Sequence, residues 1–181
     1  MGKNSAAAER SIMLIVDDVE INRFILRSIF EEEYHCAEAS NGREALEFIK
    51  ENEKHIVALL LDVMMPKMDG FELLRELNKK KMLEEIPVFL ITADASEKTM
   101  YEGYELGVRD IIEKPFIPYF LKHRVNSVVE LYQTRKKLKD TVRFQSEIIR
   151  EKVREVKQLN SSMIETLALA IEFRSGDTGA H

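Results

Sequence analysis

Ile56-Val57-Ala58-Leu59-Leu60-Leu61-Asp62 is the stretch whose reading decides the fold. Six apolar side chains in succession do not alternate, as a strand with one wet face would. They fit a strand covered on both faces, the usual state of strands in a parallel sheet. Two further runs read the same way, Ile12–Val16 and Val88–Ile91, with weaker ones at Tyr34–Ala39 and Ile111–Ile112. Between the runs, apolar residues recur at helical spacing: Ile21, Phe24, Ile25 and Ile29, then Ala45, Leu46 and Ile49, then Phe71, Leu74 and Leu77. Strand and helix alternating five times predict a doubly wound α/β domain over residues 11–124. Pro87 opens its strand, where a missing N–H does least harm.

The major runs end in chemically useful residues: Asp17-Asp18, Asp62, Thr92 and Lys114. Right-handed crossovers bring the C-terminal ends of parallel strands to one edge, where open α/β sheets hold their ligands. Three clustered carboxylates raise one another's pKa unless a cation neutralises them. An all-oxygen donor set suits a hard ion, so Mg²⁺ (or Mn²⁺) is expected, with Asp18 and Asp62 as direct ligands and Asp17 acting through water. A carboxylate can attack a phosphoryl group to give an acyl phosphate. Lys114 and the Thr92 hydroxyl suit stabilisation of the transferring oxygens. A single acid at a strand end is often a helix cap, and Asp18 ahead of Glu20 could be one. Five matched residues at the ends of strands argue for a site.

The formal net charge is -5, which argues against a nucleic-acid surface. Hydrophobic residues make up 45% and charged residues 33%, enough for a packed core. Cys36 is the one cysteine, so a reducing, cytoplasmic setting is expected. No apolar run approaches the ~20 residues of a membrane helix, and residues 1–10 read as a flexible tail without a signal-peptide layout. There is no G-x-x-x-x-G-K-[ST], H-E-x-x-H or C-x-x-C motif, and His35, His55 and His123 are scattered.

Beyond Pro118 the strand pattern stops. Residues 125–174 predict a long helical linker with a heptad repeat: Val128, Arg135, Val142, Ile149, Val156, Met163 and Ala170 on one seam position, and Leu131, Leu138, Gln145, Lys152, Leu159, Thr166 and Phe173 on the other. Ten of these fourteen are apolar, which favours a coiled-coil homodimer.

Residues 11–118 closely resemble the receiver domain of response regulators in two-component signalling. The resemblance rests on Ile15-Val16-Asp17-Asp18, on Ala39-Ser40-Asn41-Gly42-Arg43-Glu44-Ala45-Leu46, on Leu61-Asp62-Val63-Met64-Met65-Pro66-Lys67-Met68-Asp69-Gly70, on Ile91-Thr92-Ala93 and on Lys114-Pro115-Phe116. It implies a flavodoxin-like sheet in the order 2-1-3-4-5 and Asp62 as acceptor of a phosphoryl group from a sensor histidine kinase or phosphotransfer protein. It also implies a Met64 backbone carbonyl on the metal and a cis bond before Pro115. The family places an aromatic ring three residues before the lysine, and here that position is Ile111. Leu167-Ala168-Leu169-Ala170-Ile171-Glu172-Phe173-Arg174 and Gly176-Asp177-Thr178-Gly179-Ala180-His181 are similar to the opening of an HD-GYP cyclic di-GMP phosphodiesterase. That likeness makes residues 175–181 the expected start of a truncated output domain. The chain itself is then expected to be a switch, not an enzyme.

Overall fold

The computed structural model describes residues 11–176, and side chains through residue 172. Strands β1 (Ile12–Val16), β2 (His35–Ala39), β3 (Ile56–Asp62), β4 (Val88–Thr92) and β5 (Asp110–Glu113) form one parallel sheet in the order β2-β1-β3-β4-β5. They alternate with helices α1 (Glu20–Phe30), α2 (Gly42–Asn52), α3 (Gly70–Lys79), α4 (Glu97–Glu105) and α5 (Pro118–Gly176). The expected doubly wound, flavodoxin-like fold with a long C-terminal helix is the one observed.

The unbroken apolar runs are explained by two cores, one on each face of the sheet. Leu14, Val16, Leu59, Leu61 and Leu90 point to one face, against Ala45 and Ile49 of α2 and Leu73, Leu74 and Leu77 of α3. Their neighbours Met13, Ile15, Leu60, Phe89 and Ile91 point to the other, against Leu26 and Phe30 of α1 and Leu121, Val125 and Val129 of α5. Successive strand residues face opposite ways, so a sheet packed on both sides needs apolar residues at every position.

Helices α1 and α5 show which residues the core takes. Ile21, Phe24 and Ile25 of α1 do not face the core; they are exposed, and Leu26 and Phe30 are buried instead. The receiver unit also runs past residue 124, through Arg135, because Val125 and Val129 of α5 are core residues and Val128 packs against them. Val128 therefore serves the receiver core and is not a free seam position. The second unit begins at Lys136, and its described part is helical with exposed side chains throughout. The tail at residues 1–10 and the Asp177–His181 segment lie outside the described residues.

Strand register positions the site. Val16 pairs with Leu61, so Asp17 stands level with Asp62, and Thr92 pairs with Glu113, just before Lys114. The start of α3 is fixed to the end of β3. The Gly70 amide donates to the Val63 carbonyl at 2.9 Å. The Asp69 carboxylate accepts from the Glu72 amide at 2.8 Å, while the Glu72 carboxylate accepts from the Asp69 amide at 3.0 Å, a reciprocal cap. A Cβ on Gly70 would lie 2.5 Å from the Asp62 backbone oxygen, an atom that cannot step aside. Gly70→Ala is therefore expected to destabilise the fold by about 1–3 kcal/mol, despite the better helix propensity of alanine. Urea unfolding tests this; a midpoint at or above that of the parent chain would refute the tight contact.

Candidate functional site

The Lys114 ammonium donates to Asp62 Oδ1 at 2.7 Å and to Asp17 Oδ2 at 2.8 Å. Both carboxylates are buried, Asp17 at 1% exposure and Asp62 at 8%. The Lys114 amide donates to the Thr92 carbonyl at 2.8 Å, which seats the lysine at the sheet edge, and the following Lys114–Pro115 peptide is cis. Asp17 is held from the α1 side as well: the Val19 amide donates to its Oδ1 at 2.9 Å, and Asn22 Nδ2 donates to Oδ1 and Oδ2 at 3.0 and 3.1 Å. Asp62 Oδ2 accepts from the Met64 amide at 3.1 Å, and the Met64 side chain is exposed.

Not every predicted residue joins this cluster. Asp18 is exposed, and α1 starts after Val19 without a side-chain cap, so Asp18 is not spent on capping. No group of three or more His, Cys, Asp or Glu residues among the described residues is gathered as a metal centre. The expected convergence of Asp17, Asp18 and Asp62 is thus a pair, Asp17 and Asp62, bridged by an ammonium. Thr92 is buried, but its hydroxyl faces Asp94, accepting from the Asp94 amide at 3.1 Å and donating to the Asp94 carbonyl at 3.3 Å. Ile111 is buried and lies against α4: a Cβ on Gly103 would fall 3.0 Å from Ile111 Cδ1 and 2.9 Å from Leu90 Cδ1.

Two residues of the site were missed from sequence. Asn22 braces Asp17 from the first turn of α1. Asp94 grips Thr92 through its backbone and ties the loop to α4 with its carboxylate, which accepts from the Ser96 amide and from the Thr99 hydroxyl, each at 3.1 Å. Its signal was available: an Asp two residues after a strand-ending Thr and two before a Ser that caps a helix.

The electrostatics follow from the geometry. Burial pushes the Asp62 carboxyl up; Lys114 pulls it down but does not prevail, and the nearby Asp17 charge pushes it up further. Burial pulls the Lys114 ammonium down, yet its hydrogen bonds to Asp17 and Asp62 outweigh burial and raise it. The two directions agree, because Lys114 has two anionic partners whereas Asp62 shares its one cation with another acid. Two buried carboxylates against one ammonium leave an excess of negative charge. The donors are all hard oxygens, so the set fits a hard divalent cation such as Mg²⁺.

A parallel sheet in the order 2-1-3-4-5, with an acid pair and a lysine at its switch point, defines a CheY-like α/β signalling module. The family model of the response regulator receiver domain matches residues 13–126, and the chain belongs to that family. Receivers of this family are phosphoacceptor switches of two-component signalling. The transcriptional regulatory protein SrrA of Staphylococcus aureus is 37% identical over 123 residues, 67% of this chain and 49% of SrrA. The chain thus spans about half the length of the curated relatives it matches. The chemotaxis protein CheY4 of Vibrio cholerae matches with a TM-score of 0.61 at 27% identity, over 66% of this chain and 98% of that one. A chain of the CheX-CheY-BeF3-Mg²⁺ complex from Borrelia burgdorferi matches with a TM-score of 0.60 at 30% identity, over 65% and 87%.

The raised Asp62 carboxyl sets a sign for stability. Its favourable contribution is complete below the ordinary carboxylate range and is lost as pH rises through the folded value. The ionised group is therefore a burden at neutral pH. Asp62→Asn is expected to stabilise the fold at pH 7 and to make little difference in acid. Urea unfolding at the two pH values decides it; a difference that does not grow with pH would refute the burial cost.

Proposed function

We propose that Asp62 accepts a phosphoryl group from the phosphohistidine of a sensor histidine kinase or a phosphotransfer protein. The Lys114 ammonium bridging Asp17 and Asp62 at the sheet's switch point carries this reading. An Asp62 carboxylate oxygen forms the new P–O bond as the P–N bond to the donor imidazole breaks, the electron pair leaving on that nitrogen. Lys114, already on Asp62, holds a phosphoryl oxygen, and the Thr92 hydroxyl turns from Asp94 to donate another hydrogen bond. Asp17, Asp18 and Asp62, with the Met64 carbonyl, would hold Mg²⁺ (or Mn²⁺), Asp18 turning inward to do so. The bound ion supplies charge neutralisation for the acids and the transferring oxygens.

The donor's docking face is α1 and the segment after β5. Ile21, Phe24 and Ile25 are exposed there, with the Arg27 guanidinium 5.5 Å from the centre of the Phe24 ring. A cleft of about 450 Å³ lined by Asn22, Ile25, Lys114, Pro115, Phe116 and Pro118 adjoins the acid pair. A kinase or phosphotransfer helix laid on this apolar strip would bring its histidine to Asp62.

Output passes through residues 125–174 as a dimerising helix, in a protein that works in the cytoplasm without contacting nucleic acid or membrane directly. No helix among the described residues is long and apolar enough to cross a membrane. The likeness of Leu167–His181 to the opening of an HD-GYP domain supports a cyclic di-GMP phosphodiesterase as the domain so controlled, with residues 175–181 as its start.

Incubation with a small-molecule phosphodonor and Mg²⁺, followed by intact mass, should show one phosphate adduct that Asp62→Asn abolishes. An adduct surviving in the variant would place the acceptor elsewhere. Phe24→Lys should slow transfer from a partner phosphohistidine about tenfold or more, the loss of one interface anchor, while leaving labelling by the small donor intact. Equal slowing of both reactions would remove α1 from the docking face.

A further inference from the structure

In the second unit, one set of apolar residues repeats every eleven positions, not every seven. Val142, Val153 and Ile164 recur at that step, as do Leu138, Ile149, Asn160 and Ile171, and as do Gln145, Val156 and Leu167. At about 100° per residue these ten positions fall within a strip about 100° wide along a regular α-helix. The heptad seam coincides with the strip through Ile149, meets it again at Val156 and otherwise departs from it. Lys152, Leu159, Thr166 and Ala170 fall to one side and Met163 only reaches its edge, because a seven-residue repeat slips by about 20° per heptad on a straight helix. Eight of the ten strip positions are aliphatic and the other two are neutral amides, so the strip carries no charge. The heptad seam instead holds Lys152, whose ammonium bonds the exposed Glu155 carboxylate at 2.8 Å.

Building on the dimerising helix just proposed, we infer that the second unit pairs with a second copy of itself along this eleven-residue strip, as a right-handed or nearly straight coil. Three observations select a second copy as the occupant. The aliphatic members of the strip are all exposed within the chain, from Val153 at 48% to Ile171 at 68%. Only a helix with the same repeat stays in contact with such a strip over its whole length. Gln145 and Asn160 each carry both a donor and an acceptor, so an amide from an identical helix satisfies them, and buried amides of this kind fix register. The area is adequate too. At roughly 60–100 Å² per aliphatic side chain, eight on each helix bury on the order of 1,000–1,600 Å², within reach of the ~1,200–2,000 Å² of stable interfaces. Ile149, Val153 and Val156 already line one continuous shallow groove, edged by the stems of Lys152 and Lys157.

The two registers make opposite predictions beyond residue 152, and lysine is a good helix former that leaves the backbone undisturbed. Sedimentation equilibrium on the full chain is therefore run with Val153→Lys/Ile164→Lys and with Leu159→Lys/Thr166→Lys, circular dichroism confirming equal helix content. The first pair should weaken the dimer on the order of a hundredfold or more, about tenfold for each charge placed in the seam. The second should leave it within a few-fold of the parent. The reverse pattern, or equal effects from both pairs, would overturn the eleven-residue register while leaving dimerisation intact. A parent chain that stays monomeric at high concentration would overturn the dimerising helix itself, and with it this inference.

Discussion

Two carboxylates buried side by side repel each other, and the Lys114 ammonium is what lets Asp17 and Asp62 occupy one corner of the sheet. Its contacts of 2.8 and 2.7 Å join β1, β3 and the end of β5. The backbone does as much as the side chain, since the Lys114 amide on the Thr92 carbonyl prolongs the β4–β5 ladder by one step and aims the lysine inward. Asp17 is braced further by Asn22, and Arg23 of α1 donates to the Asp17 carbonyl at 2.8 Å. The compensation is incomplete, because burial keeps the Asp62 carboxyl raised even beside a cation. Charged groups left short of compensation in this way are more often kept for chemistry than for stability.

Much of this corner was legible in sequence for a simple reason. A strand buried on both faces must be apolar at each position, so its end is marked where the first charged or polar residue appears. Asp17, Asp62 and Thr92 each stand at such a break, Lys114 follows one residue behind it after Glu113, and parallel topology does the rest. What depends on side-chain direction was not legible. Asp17 and Asp18 are adjacent, yet Asp17 turns in to Lys114 and Asn22 while Asp18 turns out. Thr92 ends its strand as expected but spends its hydroxyl on the Asp94 backbone. Helix α1 shows the same limit: Ile21, Phe24 and Ile25 form a clean helical stripe, and periodicity cannot say whether a stripe faces the core or a partner. Leu26 and Phe30 take the core face, leaving Ile21, Phe24 and Ile25 as an exposed apolar strip.

Ile111 carries the clearest departure from the family pattern. Its side chain fills the space beneath α4, where Gly103 comes so close that even a methyl group would collide with Ile111 and Leu90. Ile111 stands where the family places its ring, packed beneath α4. The hydrogen bonds offer another path: Thr92 to the Asp94 backbone, then the Asp94 carboxylate to Ser96 and Thr99 in the first turn of α4. In the proposed switch, a Thr92 hydroxyl drawn to a phosphoryl group releases Asp94, whose carboxylate anchors the Ser96 cap and the first turn of that helix. Close packing at Gly103 would then turn a loosened first turn into a displacement of α4 as a body. On the other side of β5, Arg124 of α5 holds the Asp110 carboxylate through two nitrogens and reaches the Ile111 carbonyl. The strand beneath α4 is thereby tied to the base of α5 within the receiver unit.

The second unit follows different physics, since its described residues have no core of their own. Nothing within a lone amphipathic helix shields its aliphatic face, and most helix stability in proteins comes from burying such a face. A heptad description captures the first half of the repeat because seven and eleven share their early positions, Leu138, Val142, Gln145 and Ile149. The two periods part where Lys152 would enter the seam and Val153 would leave it. A buried ammonium without a close acid across the interface is costly, whereas valine in the same layer is favourable. The longer period removes that conflict with no change in the helix. It also replaces the smaller or polar members Thr166 and Ala170 with Leu167 and Ile171, so the same local preference for apolar layers selects the eleven-residue spacing in the middle of the strip and at its C-terminal end.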